Sequence, residues 1–362
     1  MRGPPGRVGR VGRSARAVAL VLVVAAAVAV TLAFDVLDLP SPSLFGGLLA
    51  GLVRGLAGRR RLAVPRPATT VAQGLIGVSI GALVDVDTLE AITRDWLPVL
   101  LITVGTLLLS ALAGLVMRLQ PGVSPVTGAF AMVAGGASGI TAMSRELGAD
   151  ERMVAVLQYL RVLLIVVLMP VTAAAVFGAD PGSGGATVDD AGPWWPAGLL
   201  FAAVCLLAGT PLARLLRIPV PTLLGPMLVA AGLDLGGLSG GAEVPTPLES
   251  AAFLVIGLMV GLGFSRGSLR TVGRALPLAL AVILGLVTAC AGLGAVLAAT
   301  TGASALDAYL ATTPGGLYAV LATAQDSGAD ATFVLAVQVL RLFVMLLSAP
   351  LLARWLRRSE AG

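Results

Sequence analysis

Ala134–Pro170 reads AGGASGITAMSRELGADERMVAVLQYLRVLLIVVLMP, and Pro314–Pro350 reads PGGLYAVLATAQDSGADATFVLAVQVLRLFVMLLSAP. The two stretches align without a gap at an offset of 180 residues, with eleven of the 37 paired positions identical. The identities include Gly135/Gly315, Gly136/Gly316, Gly148/Gly328, Ala149/Ala329, Asp150/Asp330, Gln158/Gln338, Arg161/Arg341 and Pro170/Pro350. Each copy carries a Gly-Gly break, a short apolar piece, a Gly-Ala-Asp turn and a long apolar helix containing Gln-x-x-Arg. An arginine repeated at one place inside an apolar helix is the feature that the rest of the reading turns on.

The 362 residues are 57% hydrophobic and 12% charged, with a mean hydropathy of +0.97. No soluble globular domain has that balance. Apolar runs long enough to cross or nearly cross a bilayer recur from end to end. They do not alternate as the strands of a transmembrane barrel would. The expected fold class is therefore an all-α polytopic membrane protein. The net charge of +5 comes from arginine alone, since the chain has no lysine. These arginines fall in short loops and termini, where they set membrane orientation rather than a nucleic-acid surface. Cys205 and Cys290 lie far apart inside apolar runs, a pattern that suggests neither a disulfide nor a metal site. The chain has no histidine, the commonest ligand for zinc, copper and iron.

The duplication extends well beyond the opening stretch. Pro42-Ser43-Leu44-Phe45-Gly46 answers Pro221-Thr222-Leu223-Leu224-Gly225, Gly77 and Gly81 answer Gly257 and Gly261, and Gly105 answers Gly285. Ala17–Phe34, with Thr31-Leu32-Ala33 near its end, resembles a cleavable leader. Its counterpart at the same offset, Ala197–Arg214, assigns it to the repeat instead. The expected organisation is a basic cytoplasmic tail over 1–14, repeat 1 over 15–177, an extracytoplasmic linker over 178–194, repeat 2 over 195–356, and a cytoplasmic tail over 357–362. In the first tail, Arg2, Arg7, Arg10, Arg13 and Arg16 read as a topology signal, with contact to anionic membrane lipid as the alternative.

Loop charge orients the two copies. Asp35 and Asp38 follow the first helix. The second, Leu44–Leu56, leads to Arg54, Arg59, Arg60, Arg61 and Arg66. The third, Ala68–Val84, ends at Asp85, Asp87 and Glu90, and the fourth, Trp96–Val116, ends at Arg118. Basic loops inside gives the order in, out, in, out, in. The second half reverses each assignment. The counterpart of Arg54–Arg66 is the acidic Asp234–Glu249, and the counterpart of Asp85–Glu90 carries Arg266, Arg270 and Arg274. Equivalent loops on opposite sides define inverted-topology repeats, which need an odd number of crossings each. Five crossings per repeat result if Val126–Leu147 is a re-entrant hairpin turning at Gly135-Gly136. Leu306–Ala324 would be its partner, turning at Pro314-Gly315-Gly316. Each arm of about ten residues reaches about 15 Å, half the hydrocarbon thickness. Met153–Phe177 and Phe333–Trp355 then complete ten crossings, with both termini in the cytoplasm. Short, glycine-rich Leu44–Leu56 is the other candidate for a non-spanning piece.

Two Gly-Gly tips entering from opposite faces would meet near the midplane. Irregular backbone at that depth is tolerated only inside protein or beside water. The helix after each tip aims its N-terminus there, with Ser138 a candidate cap, and such a point attracts anions. The carbonyl ends of the incoming arms offer a site for a cation such as sodium. The competing reading is that these glycines only allow close helix packing. Arg161 and Arg341 lie about 12 Å into their helices. Each costs about 2.5–3.5 kcal/mol on insertion scales. Gln158 and Gln338, three residues earlier, share their helix face. One role for the arginines is structural: Arg161 pairing with Asp150 or Glu146, Arg341 with Asp330 or Asp326, or both capping hairpin carbonyls. The other is a planar guanidinium gripping a carboxylate or phosphate of a permeating solute. The candidate solute-binding set is thus Gly135, Gly136, Ser138, Gln158, Arg161, Gly315, Gly316, Gln338 and Arg341, with no catalytic or metal-binding residue. Pro170 and Pro350 are expected to kink their helices. Leu224-Gly225-Pro226-Met227 should break or unwind a short segment, either lining the cavity or ending a helix. Trp194 and Trp195 read as interfacial anchors.

The duplicated Gly-Gly hairpins, Gly-Ala-Asp and Gln-x-x-Leu-Arg, together with Leu-Gly-Pro-Met, resemble the bacterial AbrB-duplication membrane proteins. The resemblance covers nearly the whole chain beyond the N-terminal tail. Ala134 standing opposite Pro314 is a modest departure that makes the hairpins unequal. Members of this family carry labels of transcriptional regulator or of ammonia monooxygenase. The resemblance implies an integral membrane protein linked to regulation of gene expression, and brings no catalytic residues. Monooxygenase chemistry needs a metal centre, for which the sequence offers no ligand cluster. Direct DNA binding needs a domain that reaches a groove, and no loop here forms one. Any regulatory link is expected to be indirect. By analogy of layout alone, the chain is similar to secondary transporters with opposed re-entrant hairpins, such as citrate and glutamate symporters. The expected function is a secondary transporter or exporter in the cell membrane. Its expected partners are a small anionic solute, a coupling ion (sodium or proton) and membrane lipid, with no nucleic acid and no cofactor; self-association is left open. The rival is a membrane-embedded sensor that binds a solute without moving it.

Overall fold

The structure, a computed structural model, describes residues 8–36, 41–58, 62–84, 94–133, 148–179, 195–218, 220–266 and 273–358. Among these residues there are thirteen α-helices and no strand. They are α1 (Val8–Val36), α2 (Pro42–Ala57), α3 (Arg66–Gly81), α4 (Trp96–Val116), α5 (Pro125–Met132), α6 (Glu151–Phe177), α7 (Trp195–Leu215), α8 (Pro221–Leu235), α9 (Thr246–Leu262), α10 (Leu276–Thr301), α11 (Ala305–Thr312), α12 (Leu317–Asp326) and α13 (Ala331–Arg358). Five segments are long and apolar enough to cross a membrane: Val18–Val36, Trp96–Leu119, Met153–Phe177, Trp195–Leu215 and Leu276–Thr301. Their outward faces carry large exposed apolar side chains such as Leu101, Leu108, Leu112, Leu207 and Leu284, as lipid contact requires. The helices α2, α3, α8 and α9 have 16, 16, 15 and 17 residues. At about 1.5 Å per residue they reach roughly 24 Å, short of a hydrocarbon core of about 30 Å.

Local geometry recurs at the sequence offset. α2 and α8 are both entered through a left-handed residue, Ser41 (φ 49°, ψ 54°) and Val220 (φ 48°, ψ 54°). Pro65 and Pro245 start α3 and α9. The Ser124 hydroxyl accepts from Thr127 N at 3.2 Å to cap α5, and the Ser304 hydroxyl accepts from Asp307 N at 3.0 Å to cap α11. The Gly-Ala-Asp turns are built alike. Gly148 (φ 82°) and Gly328 (φ 66°) adopt the left-handed backbone, which at Gly328 follows the end of α12. Asp150 Oδ1 accepts from Met153 N at 3.2 Å, and Asp330 Oδ1 accepts from Phe333 N at 2.9 Å, so each aspartate caps the long helix after it.

Packing pairs elements across the two halves. α2 lies against α9, and its counterpart α8 lies against α3; α1 covers α2, and α7 covers α8. The α2–α9 seam is a contact of backbones. A β-carbon at Gly257 or Gly261 would strike the Leu44 or Leu48 carbonyl, and one at Gly47 or Gly51 would strike that of Leu254 or Leu258. In lipid, where apolar side chains gain little by leaving the solvent, such close approach is a principal source of helix association. The central core joins this four-helix group to α6, α11, α12 and α13 through residues such as Ile76, Leu223, Ile165, Leu310 and Val334.

α1 begins at Val8, inside the stretch read as a basic tail, where no proline follows Pro5 and arginine is a good helix former. One expectation changes. α8 neither breaks nor ends at Leu224-Gly225-Pro226-Met227: it runs from Pro221 to Leu235. Gly225 is used there for close contact with Gly209 of α7, and Pro226 forgoes one backbone hydrogen bond without ending the helix. α6 is continuous through Pro170 to Phe177, which a proline kink allows.

The seam makes a sharp prediction. Gly257→Ala should destabilise the detergent-solubilised protein by about 1–3 kcal/mol, because only backbone can yield. Gly285→Ala, with nothing within 4 Å of the new methyl, should leave Tm unchanged or raised. Thermal unfolding of the two variants side by side checks this.

Candidate functional site

The helix α5 stops at Met132 with the carbonyls of its last turn unpartnered by its own backbone, as every helix end does. Those carbonyls are received by α6. Gln158 Nε2 donates to Phe130 O at 2.6 Å and to Val133 O at 2.8 Å. Arg161 Nη1 donates to Met132 O at 2.6 Å, and Nη2 donates to Gln158 Oε1 at 2.7 Å. The glutamine and arginine, one turn apart on one face, form a single fork that closes the carbonyl end of α5.

The second half repeats the construction. α11 stops at Thr312, and the chain passes through Thr313–Gly316 before α12. Gln338 Nε2 donates to Leu310 O at 2.9 Å and Thr313 O at 3.2 Å. Arg341 Nη1 donates to Thr313 O at 2.8 Å and Thr312 O at 3.3 Å, and Nη2 to Gln338 Oε1. Arg161 and Arg341 are 2% and 3% exposed. Arg161 lies within electrostatic reach of Arg341, and Cys290 within reach of both. Neither guanidinium is in a salt bridge with a carboxylate among the described residues. Each arginine retains one buried donor, Nε, with no hydrogen-bond partner.

The break between α11 and α12 sits against the other half's arginine helix. A β-carbon at Gly315 would press on Ile165, and one at Gly316 on Val162. Only glycine lets the chain cross α6 this closely, within a turn of Arg161. Gly315, Gly316, Gln158, Arg161, Gln338 and Arg341 are thereby gathered into one buried region. Gly135, Gly136 and Ser138 lie outside the described residues. Of the structural roles anticipated for the arginines, capping of backbone carbonyls is the one present, at the ends of α5 and α11. Asp150 and Asp330 are helix caps, and Asp326 accepts from Ser41 N at 2.9 Å; Glu146 lies outside the described residues. α12 opens at Gly316 with no side-chain cap, so its N–H end remains the anion-attracting element of this region.

A second polar group was not anticipated. A cavity of about 450 Å³ lies among the entry to α2, Leu83 beyond α3, the first turns of α9, and the end of α12 with the turn into α13. On its wall Ser79 Oγ donates to Glu249 Oε1 at 2.5 Å, and Gln325 Nε2 donates to the same oxygen at 3.0 Å and to Ser79 Oγ at 3.1 Å. Its members come from α3, α9 and α12, so no local motif announces them. The one available signal was an acid, Glu249, in the first turn of α9.

The locks predict a cost for each missing donor. Gln158→Leu should strand the Phe130 and Val133 carbonyls and lower stability by about 1–3 kcal/mol. Arg161→Met should cost a similar amount, and the double variant clearly less than the sum, because the two side chains act as one fork. A thermal-shift double-mutant cycle measures the coupling; strict additivity would contradict a shared lock.

Comparison with known proteins agrees with this architecture. A family model described as "Transition state regulatory protein AbrB" matches residues 44–357. The chain is 34% identical over 334 residues to the "Putative regulator AbrB" of Escherichia coli (strain K12), covering 91% of this chain and 94% of that protein. It is 25% identical over 292 residues to the "Uncharacterized protein YhjN" of Bacillus subtilis (strain 168), covering 77% and 76% of the two chains. With duplicated helices, paired arginine locks and a match over most of its length, this chain belongs to the AbrB family.

Proposed function

We propose that this AbrB-family protein is a secondary transporter or exporter of a small anionic solute in the cell membrane, working by alternating access. In this reading, residues 15–177 and 195–356 are inverted repeats of about five transmembrane helices and one re-entrant hairpin each. Residues 178–194 form an extracytoplasmic linker, and the tails 1–14 and 357–362 are cytoplasmic. The observation that carries the reading is the pair of matched locks: two helices broken deep in the apolar interior, each broken end held by a buried arginine from the following long helix. A fold that only needed stability would have no use for broken helices, whose freed backbone must then be satisfied. Broken helices at a repeat interface are the usual architecture of a transport site.

The clustering of helix ends supports opposed repeats. Ser41, Leu83, Thr246 and Asp326, all at ends assigned to the outer face, line one cavity. Met117, Val123, Phe264 and Ala275, at ends assigned to the inner face, share another cluster. The solute class rests on charge. Two buried guanidiniums with unpartnered Nε donors, beside the open N-terminus of α12, leave a positive centre. The arginines serve first as positioning residues that hold the hairpins, with Nε as the donor left for solute.

A sensor that binds solute without moving it is the second reading, favoured by the word "regulator" in the printed name of the Escherichia coli relative. In either case a link to gene expression would run through the solute. Reporter fusions should place 54–66 and 264–274 in the cytoplasm and 178–195 outside; finding 264–274 outside would make the repeats parallel and end the opposed-hairpin reading. Proteoliposome flux across a panel of small carboxylates and phosphate esters should reveal saturable uptake that drops at least tenfold in Arg161→Gln, Arg341→Gln. Saturable binding without flux would favour the sensor.

A further inference from the structure

The cavity beside Glu249 is unlike the locks in one respect: the duplication repeats only part of it. At the offset of 180, Glu249 corresponds to Thr69, Ser79 to Met259 and Gln325 to Arg145, and at the entry to α8 Val220 stands where Ser41 stands before α2, whereas Asp326 corresponds to another acid, Glu146. The features that build the fold, namely the caps, the left-handed entries, the glycine seams and the Gln-Arg forks, occur in both halves. The Glu249–Ser79–Gln325 group, present in one half only, is not demanded by the repeated architecture.

Its chemistry is one-signed. Glu249 and Asp326 line the cavity, together with Ser41, Ser43, Thr246, Ser250, Gln325, Thr332 and Asp330, the cap of α13, and no arginine is among the lining residues. Two of its oxygens have unfilled bonding capacity. Gln325 Nε2 is spent on Ser79 Oγ and Glu249 Oε1, which fixes the amide so that Oε1 is the free end; that Oε1 is buried with no donor. Ser41 is 8% exposed; its N–H donates to Asp326 Oδ2 at 2.9 Å, and its hydroxyl, beside that carboxylate, has no partner at hydrogen-bonding geometry among the described residues. An amide oxygen can only accept, so what it lacks is a donor or a cation. Two carboxylates, an acceptor-only oxygen and a hydroxyl converging on a cavity of about 450 Å³ describe the surroundings of a positive charge.

We propose that this cavity is a binding site for a monovalent cation, either an alkali-metal ion or a small ammonium group, held by Glu249, Asp326, Gln325 Oε1 and the Ser41 hydroxyl. The site joins parts that the packing otherwise keeps distinct. Ser41, Ser79 and Glu249 belong to the glycine-seamed group α2, α3 and α9, whereas Gln325 and Asp326 end the short helix α12 behind the second broken tip. A cation seated here would tie α12 to that group, and its departure would loosen the tie. This extends the transport reading by giving the solute a co-bound ion of opposite charge, but the binding itself does not depend on transport.

Equilibrium binding on the full-length protein in detergent tests it, with radiolabelled sodium and radiolabelled methylammonium as the two probes. One of them should bind saturably, with about one site per chain. Glu249→Gln and Asp326→Asn should each weaken it by at least about tenfold, the scale of one lost charge-assisted contact. Thr69→Ala, at the position equivalent to Glu249, should not change it. Gel filtration and apo Tm report folding of each variant. Should the carboxylate variants fail to fold, Ser41→Gly decides, because glycine keeps the φ of 49° while removing the hydroxyl; a loss of about three- to tenfold is expected. No saturable binding of either probe by folded protein overturns the proposal. So does unchanged affinity in a folded Glu249→Gln, Asp326→Asn double variant, or in Ser41→Gly where that variant is the decisive one. Absent flux with intact cation binding would count against transport alone.

Discussion

A guanidinium closing the carbonyl end of a broken helix is the interaction on which the rest of this protein depends. Each arginine enters an environment where an uncompensated charge costs about 2.5–3.5 kcal/mol on insertion scales. Each also finds the groups best able to offset that cost, the electronegative end of a helix dipole and two or more oxygen acceptors. Hydrogen bonds to a charged donor contribute about 1.5–3 kcal/mol apiece, so the Nη bonds of Arg161 to Met132 O and to Gln158 Oε1 repay the burial. The relation is mutual. Without the arginine, α5 could not stop where it does, since its last carbonyls would have no partner. Without the break, the arginine would have nothing to hold. Gln158 and Gln338 extend each fork to carbonyls that the guanidinium does not reach.

Around these locks the chain is assembled from two kinds of contact. The group formed by α2, α3, α8 and α9 is held backbone to backbone through glycine, a contact with no slack. The broken elements meet it mainly through side chains, among them Ile165, Leu310, Val320 and Val334 in the shared core. A rigid seam beside an adaptable one divides the molecule along the line where α12 touches α3 and α9, and the only partly duplicated polar cavity lies on that line.

Much of this was legible in the sequence because duplication multiplies weak signals. A lone Gly-Gly or a lone Gln-x-x-Arg says little; the same spacing twice located both forks, both Gly-Ala-Asp turns and the helices that carry them. Seeing where the arginine donors go required coordinates, because Met132 and Thr312 offer backbone carbonyls, and a carbonyl leaves no trace in residue identity. Pro226 misled because its residue type predicts a break, whereas α8 continues through it at the loss of one backbone hydrogen bond. The Glu249 cavity was invisible for a different reason. The Ser79–Glu249–Gln325 group comes from three helices, with members up to 246 residues apart, and the periodicity that revealed everything else is what that group lacks.

The brevity of α2, α3, α8 and α9 has an electrical meaning if they cross the bilayer as proposed. Helices of 15–17 residues leave about 6 Å of an ordinary hydrocarbon core uncovered. Lipid would then thin around them, or water would reach their ends. In that arrangement the insulating layer is narrowest beside these four helices, and the membrane potential falls across that narrowed waist. Each ångström that a charge moves there then does more electrical work than it would beside the long outer helices. A displacement of a few ångströms at the waist, too small to unseat the glycine seam, would carry a charge through a sizeable share of the roughly 2.3 kcal/mol available per 100 mV.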